Sequence, residues 1–110
     1  MTAIHFIERS DNVRKMDRLK NEWESGLWDI PEERAQKLVG ATLYLHRTKH
    51  QPSHFGGRIL SYRIEPATAS GGGVVFTVRA AADCKDVKAG PKGWAKDHKI
   101  FWDALEPAQV

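Results

Sequence analysis

The chain has 110 residues, of which 41% are hydrophobic and 28% charged, with a net charge of +3 and a single cysteine. This size and composition are typical of one globular domain whose core needs neither disulfides nor a structural metal. No apolar stretch approaches the roughly 20 residues of a membrane span, and the N-terminus lacks the pattern of a signal peptide. We therefore expect a cytoplasmic protein that begins near Met1 and has no membrane partner.

The first part of the chain predicts a strand followed by two helices. The apolar run at residues 4–7 suits a buried strand, and Ser10 can cap a helix by accepting a hydrogen bond from a first-turn amide. In this helix four apolar side chains recur at helical spacing: Val13, Met16, Leu19 and Trp23. We expect it to end by Gly26, and a second helix to run from Pro31, with two acidic residues in its first turn, to Gly40.

From residue 40 onward the pattern favours strands. Apolar and polar residues alternate with a period of two, which predicts strands at residues 42–47, 58–65 and 74–80. The stretch ATASGGG at 67–73 predicts a flexible hairpin loop. Residues 84–99 are polar and rich in turn-forming residues, the apolar cluster at 100–102 predicts a last strand, and the tail at 106–110 is expected to fray.

This order of elements predicts an α+β domain, namely a small antiparallel or mixed β-barrel with two N-terminal helices. The sheet is expected to curl and close, because short antiparallel strands remove their exposed edges by forming a barrel. No internal repeat divides the chain, so residues 1–110 are expected to form a single domain.

The stretch at residues 40–62 combines strand-forming residues with many cations. Tyr44 and His46 share the strand face opposite two core leucines. Four basic side chains follow with no acidic one among them: Arg47, Lys49, Arg58 and Arg63. Aromatic rings and cations on a small sheet suit a flat anionic ligand, so we predict a module that binds nucleic acid, DNA or RNA, with Lys49 and Arg58 among its contacts.

A serine and a pair of glycines in the same stretch have two interpretations. Ser53, Gly56 and Gly57 could present backbone amides to a phosphate, to which Arg58 would add a bidentate donor. The glycines could equally form only the bulge that begins the next strand. The first interpretation adds Ser53 to the predicted ligand contacts, whereas the second gives the pair a structural role.

Four features of the sequence resemble the PUA-like superfamily, particularly its EVE and ASCH branches. They are the N-terminal strand IHFI, Trp28 in the helical insertion, the glycine-led strand GATLYLHR and the returning strand GGRILSYRIE, which together lie within residues 4–80. The resemblance implies a β-barrel flanked by helices, with a cleft for a nucleobase or a modified nucleobase. It also implies that four side chains hold a flipped base by stacking and hydrogen bonding: Trp28, Tyr44, His46 and Phe55.

Two tryptophans also have structural interpretations. Trp28 follows Leu27 and precedes Ile30, so it could pack in the core between the two helices. Trp23 continues the apolar stripe of its predicted helix, and we assign it to the core.

The histidines His46, His50 and His54 repeat at a spacing of four, which on a helix would suit zinc. Pro52 and two glycines interrupt this segment, and its flanks predict strands, so the spacing loses its geometric meaning. We expect no metal and no other cofactor.

A small enzyme is the main alternative to a binding module. Some ASCH proteins are amidohydrolases thought to use lysine, threonine and glutamate, and Thr48 with Lys49 would supply two of these groups for a nucleoside or related amide. An activated lysine needs burial or a cationic neighbour, whereas Lys49 is expected in an exposed loop, and a lone cysteine such as Cys84 is usually inert. We therefore expect no catalytic residues. A protein-interaction domain that uses the acidic region at 22–33 is a third alternative.

Overall fold

The structure is a computed structural model that describes residues 2–8, 13–68 and 71–102. Within these residues, seven strands and one α-helix follow in chain order: β1 (Ala3–Ile7), β2 (Val13–Asp17), β3 (Glu22–Trp28), α1 (Glu32–Leu38), β4 (Thr42–His46), β5 (Phe55–Thr68), β6 (Gly71–Ala80) and β7 (His98–Phe101). A short 3-10 turn at Ala82–Cys84 follows β6. No helix in this part of the chain is long and apolar enough to cross a membrane.

The seven described strands form one mixed sheet in the order β2-β3-β6-β5-β4-β1-β7. β1 and β4 pair in parallel, and the other neighbouring strands pair antiparallel. The sheet is open, with β2 and β7 at its two edges, so the predicted closed barrel is wrong. The edge strand β2 instead carries exposed Arg14 and Lys15, and charged side chains protect a sheet edge without closure.

The first of the two predicted N-terminal helices is also wrong, because residues 13–28 form the β2–β3 hairpin. Its turn is set by the carboxylate of Asp17, which accepts hydrogen bonds of 3.0 Å from the backbone N–H groups of Leu19 and Lys20. Asn21 follows with a φ of 55°, a left-handed conformation that asparagine tolerates. Leu19 is 97% exposed, so the apolar stripe is not buried. The predicted cap at Ser10 lies outside the described residues.

The second predicted helix is confirmed as α1. It begins directly after Pro31, carries Glu32 and Glu33 in its first turn, where the helix dipole favours negative charge, and buries Ala35 and Leu38. In chain order, α1 lies between β3 and β4.

The core is a single apolar cluster to which the central strands and α1 contribute. Its largest members come from β1, β4, β6 and α1, namely Phe6, Leu43, Leu45, Phe76 and Leu38, and Trp28 at the end of β3 joins them. Because parallel β1 and β4 are central to this cluster, the ends of these two strands are held rigidly, and the segments that leave them begin from fixed positions.

The predicted strands of the second half are confirmed with shifted ends. β4 and β6 contain most of the predicted residues, β5 begins at Phe55 rather than residue 58, and β7 begins at His98 rather than residue 100. The predicted loop at 67–73 is largely strand, since β5 runs to Thr68 and β6 begins at Gly71, while residues 69 and 70 lie outside the described part. The tail at 106–110 lies outside it as well.

Candidate functional site

An open cavity of about 520 Å³ lies at the end of the sheet where β1 and β4 finish. Ile7 of β1 lies opposite His46 of β4 in the parallel pairing, so the next residues, Glu8 and Arg47, leave the sheet side by side, and both line the cavity. The backbone N–H of His54, just before β5, donates a 2.8 Å hydrogen bond to the Leu45 carbonyl, which holds His54 beside the end of β4. The volume falls within the range of small-molecule sites.

Two aromatic side chains, Trp23 of β3 and Phe55 of β5, line the cavity. Their ring centroids are 5.2 Å apart with an interplanar angle of 66°. The Trp23 indole N–H donates a 3.0 Å hydrogen bond to the side-chain oxygen of Asn21, and the ammonium of Lys15 lies 5.0 Å from the indole centroid. The indole is therefore held in one orientation and can serve as a stacking surface for a flat ligand.

The polar groups of the cavity combine one buried acid with exposed cations. Glu8 is only 5% exposed, and its backbone N–H donates a 2.7 Å hydrogen bond to the His46 carbonyl. Arg47 and Lys85 line the same cavity and are exposed. The exposed cations attract phosphate, so the lining suits a ligand that carries a phosphate group.

A buried histidine pair lies on the neighbouring strands. His46 Nδ1 is 2.8 Å from the Gln51 carbonyl oxygen, which can only accept, so this nitrogen carries the proton and donates. In the neutral ring His46 Nε2 then accepts from His5 Nδ1, which is 2.8 Å away. His5 also stacks on Tyr44, with centroids 4.5 Å apart. The pair thus has one defined arrangement of protons, in which both rings are neutral.

The pKa values of both histidines support this assignment. The pKa of His5 is lowered from 6.5 to about 4, chiefly by burial and to a smaller extent by the neighbouring His46 and Lys99. Burial also lowers the pKa of His46, although its hydrogen bond to the Gln51 backbone partly offsets that effect. Tyr44 and His46 are both predicted ligand contacts. They form a polar cluster with His5 next to the cavity, and neither lines the cavity itself.

The remaining predicted ligand residues are distributed among several places. Trp28 lies in the core, 8% exposed, with its ring stacked on Phe6 at 3.9 Å and its N–H donating to Ser25 Oγ. Phe55 lines the cavity, Lys49 lies in an exposed turn beside it, and Arg58 is exposed on β5 opposite Thr42 and Arg79. The structure thus brings Phe55 and Lys49 to one region and places Trp28 and Arg58 elsewhere.

Ser53 and the paired glycines make structural contacts. Ser53 is buried, and its hydroxyl donates a 2.6 Å hydrogen bond to the Cys84 carbonyl and accepts one of 3.0 Å from the Val87 N–H. A Cβ at Gly57 would collide with the carbonyl oxygen of Arg79, and one at Gly56 with that of Leu43. Glycine is therefore needed for β5 to approach its neighbours on both sides.

We expect Ser53→Ala to lower the free energy of unfolding by about 1–3 kcal/mol, since it leaves the carbonyl of buried Cys84 and the N–H of half-buried Val87 without their side-chain partner. Urea denaturation followed by circular dichroism measures the change. Ser61→Ala, at an exposed position of β5, is the matched control and should be close to neutral. Equal stability of the two variants would contradict the structural role of Ser53.

The histidines at spacing four and the single cysteine lie in separate environments. The three histidines at spacing four diverge, because His46 belongs to the buried pair, His50 is exposed and His54 lines the cavity. The described residues contain no group of three or more histidine, cysteine or acidic side chains that could hold a metal ion. Cys84 is buried. Burial raises the pKa of its thiol, and the negative charge of the adjacent Asp83 adds a smaller effect in the same direction.

Trp23 and Glu8 were not predicted as cavity residues. Trp23 was expected in a helix, and the sequence signal against that helix is the pair of turn-forming residues Asp17 and Asn21 within it. Glu8 carries no local signal, because its position depends on the parallel pairing of β1 with a strand more than thirty residues away.

Comparisons of the chain with protein-family models, with curated proteins and with solved structures found no match. A function for the chain is therefore inferred from the chemistry of the residues around the cavity.

Proposed function

We propose that the protein binds nucleic acid by taking one base into the cavity beside Trp23 and Phe55. The observation that supports this most directly is the pairing of a fixed indole with a second aromatic ring in an open cavity that also contains exposed cations. Every base has a flat π-face, and stacking on an aromatic side chain contributes roughly 1–3 kcal/mol per base.

The charges around the cavity favour the same ligand. Arg47 and Lys85 are positioned to attract the phosphate backbone. An open cavity of about 520 Å³ also has room for the extra methyl group of a modified base. The single cysteine, a buried free thiol, accords with a reducing, cytoplasmic compartment, which we include in the proposal.

The test is a titration of fluorescein-labelled ten-nucleotide DNA and RNA strands followed by fluorescence anisotropy. The set includes strands with cytosine or adenine replaced by its methylated form. We expect Trp23→Ala to weaken binding roughly 5- to 150-fold, which corresponds to the loss of about 1–3 kcal/mol of stacking. Phe55→Ala should act in the same direction.

Trp102→Ala is the matched control, because Trp102 is exposed and does not line the cavity. It should bind as the unchanged protein does. Circular dichroism of each variant establishes that it is folded, and Trp23→Leu serves if Trp23→Ala is not. Binding that is undetectable for every strand, or equal for folded Trp23 and Trp102 variants, would overturn the proposed function.

A further inference from the structure

A second depression of about 350 Å³ adjoins the cavity and is strongly basic. Among the described residues that line it, four have basic side chains and none is acidic: Arg47, Lys49, His50 and Lys96. Thr48 adds a hydroxyl, which accepts a 3.2 Å hydrogen bond from the His50 N–H. A concave surface with several cations and a hydroxyl matches the oxygens of a phosphate group.

An aromatic ring of fixed orientation, that of Trp94, forms part of the same depression. Its indole N–H donates a 2.7 Å hydrogen bond to the Gly90 carbonyl, and its ring meets the buried His46 edge to face, with centroids 5.7 Å apart. Trp94 thus rests on the histidine pair and adds a flat surface beside the cations. Cations next to an aromatic ring are the combination found where proteins follow a single nucleic-acid strand.

Arg47 lines both the cavity and this basic depression, so the two sites are neighbours that share this residue. The cations of the depression are largely available to a ligand. Lys96 makes one ion pair, with Asp29 at 3.5 Å, but both side chains are more than four-fifths exposed, and such a pair contributes little.

We propose that the basic depression receives the phosphate that links the base in the cavity to the next nucleotide, and that the ligand is therefore a single strand of two or more nucleotides. Arg47 contacts the phosphate from between the two sites, and Trp94 offers a surface to the neighbouring nucleotide. A base within a duplex is stacked and paired, so it does not reach a cavity of this kind without being extruded. This inference rests on the proposed function, since it assumes that a base occupies the cavity.

The experiment measures how the affinity for a fluorescein-labelled ten-nucleotide strand depends on salt between 50 and 200 mM NaCl. The variant combines Lys49→Ala with Lys96→Asn. Asparagine is used at Lys96 because this residue has a φ of 55°, which asparagine adopts more readily than alanine. Because both lysines face this one phosphate, their loss should reduce the slope of log K against log salt by about 0.7 and weaken binding roughly 5- to 10-fold at 50 mM salt.

The matched control is Lys88→Ala with Lys92→Ala, which removes the same charge from exposed positions outside the depression. Its salt slope should stay close to that of the unchanged protein. A duplex of the same sequence should bind more weakly than the single strand.

The outcomes separate this inference from the proposed function. If Trp23→Ala weakens binding while the Lys49 and Lys96 variant keeps the full salt slope, or matches its control, the phosphate site is wrong and the base cavity stands. Duplex binding as tight as that of the single strand would overturn the single-strand ligand. If the unchanged protein binds no strand at all, the inference and the proposed function fail together.

Discussion

Replacing Trp28 with alanine is expected to lower the free energy of unfolding by about 3–5 kcal/mol, the range for deleting a large aromatic side chain from a core. Trp28 is 8% exposed, stacks on Phe6 with ring centroids 3.9 Å apart, and donates a 3.0 Å hydrogen bond to the buried Ser25. Its removal therefore leaves a cavity next to Phe6 and a buried hydroxyl without its donor.

The matched variant is Trp23→Ala, which removes the same side chain from a half-buried position at the cavity. Urea denaturation should show a distinctly smaller loss of stability for Trp23→Ala, while strand titrations should show the larger loss of affinity for it. The reverse result, in which Trp28→Ala is stable but no longer binds, would return Trp28 to the ligand contacts that the PUA-like resemblance implies.

Lowering the pH from 7 to 4 is expected to reduce the free energy of unfolding by about 3 kcal/mol through His5 alone. The pKa of this histidine is lowered from 6.5 to about 4 in the folded protein, chiefly by burial. Between these values the unfolded chain binds a proton that the folded protein does not, so stability is fully present above pH 6.5 and is lost as the pH falls toward 4.

Other groups act in the same direction. Burial lowers the pKa of His46 and of His98, so both also favour the folded state less as the pH falls. Hydrogen bonding to Arg63 lowers the pKa of the Glu24 carboxyl, whose contribution is lost at a lower pH than that of the histidines. The total decline should therefore exceed that of His5 and begin below pH 6.5.

The His5→Asn variant isolates the histidine pair. Its side-chain amide nitrogen takes the place of His5 Nδ1 and can still donate to His46 Nε2, but it does not titrate. Urea denaturation at pH values between 4 and 8 should give a shallower decline of stability for this variant than for the unchanged protein. Parallel curves would show that the pair is not the cause of acid sensitivity.

The sequence predicted the second half of the fold well because its signals are local. Period-two alternation marks β4, β5 and β6, and Pro31 with two glutamates marks the start of α1. The segment at residues 13–28 was mispredicted because Val13, Met16, Leu19 and Trp23 recur at helical spacing although Met16 and Leu19 are exposed. The turn made by Asp17, together with pairing between β3 and β6, outweighs that spacing.

The candidate site was predicted only in part, for a related reason. Phe55 begins β5, and Lys49 lies in the connection between β4 and β5. The local pairing of these two strands therefore sets where both residues lie. Trp23 and Glu8 reach the cavity through long-range pairings, β3 with β6 and β1 with β4, which no local pattern reports. The pairing of β3 is also irregular between Ser25 and Trp28, so the faces on which Trp23 and Trp28 lie do not follow from simple alternation along the strand.

Hydrogen bonds hold the backbone of the segment between β4 and β5 at several points, which reduces the conformational entropy that this segment loses on binding. Gln51 accepts from His46, the Ser53 N–H donates to the Val87 carbonyl, and His54 bonds to Leu45. Arg47 and Lys49 therefore project from a backbone that becomes ordered during folding. A ligand that meets them need not immobilise the backbone of this segment, so less conformational freedom is lost when the complex forms.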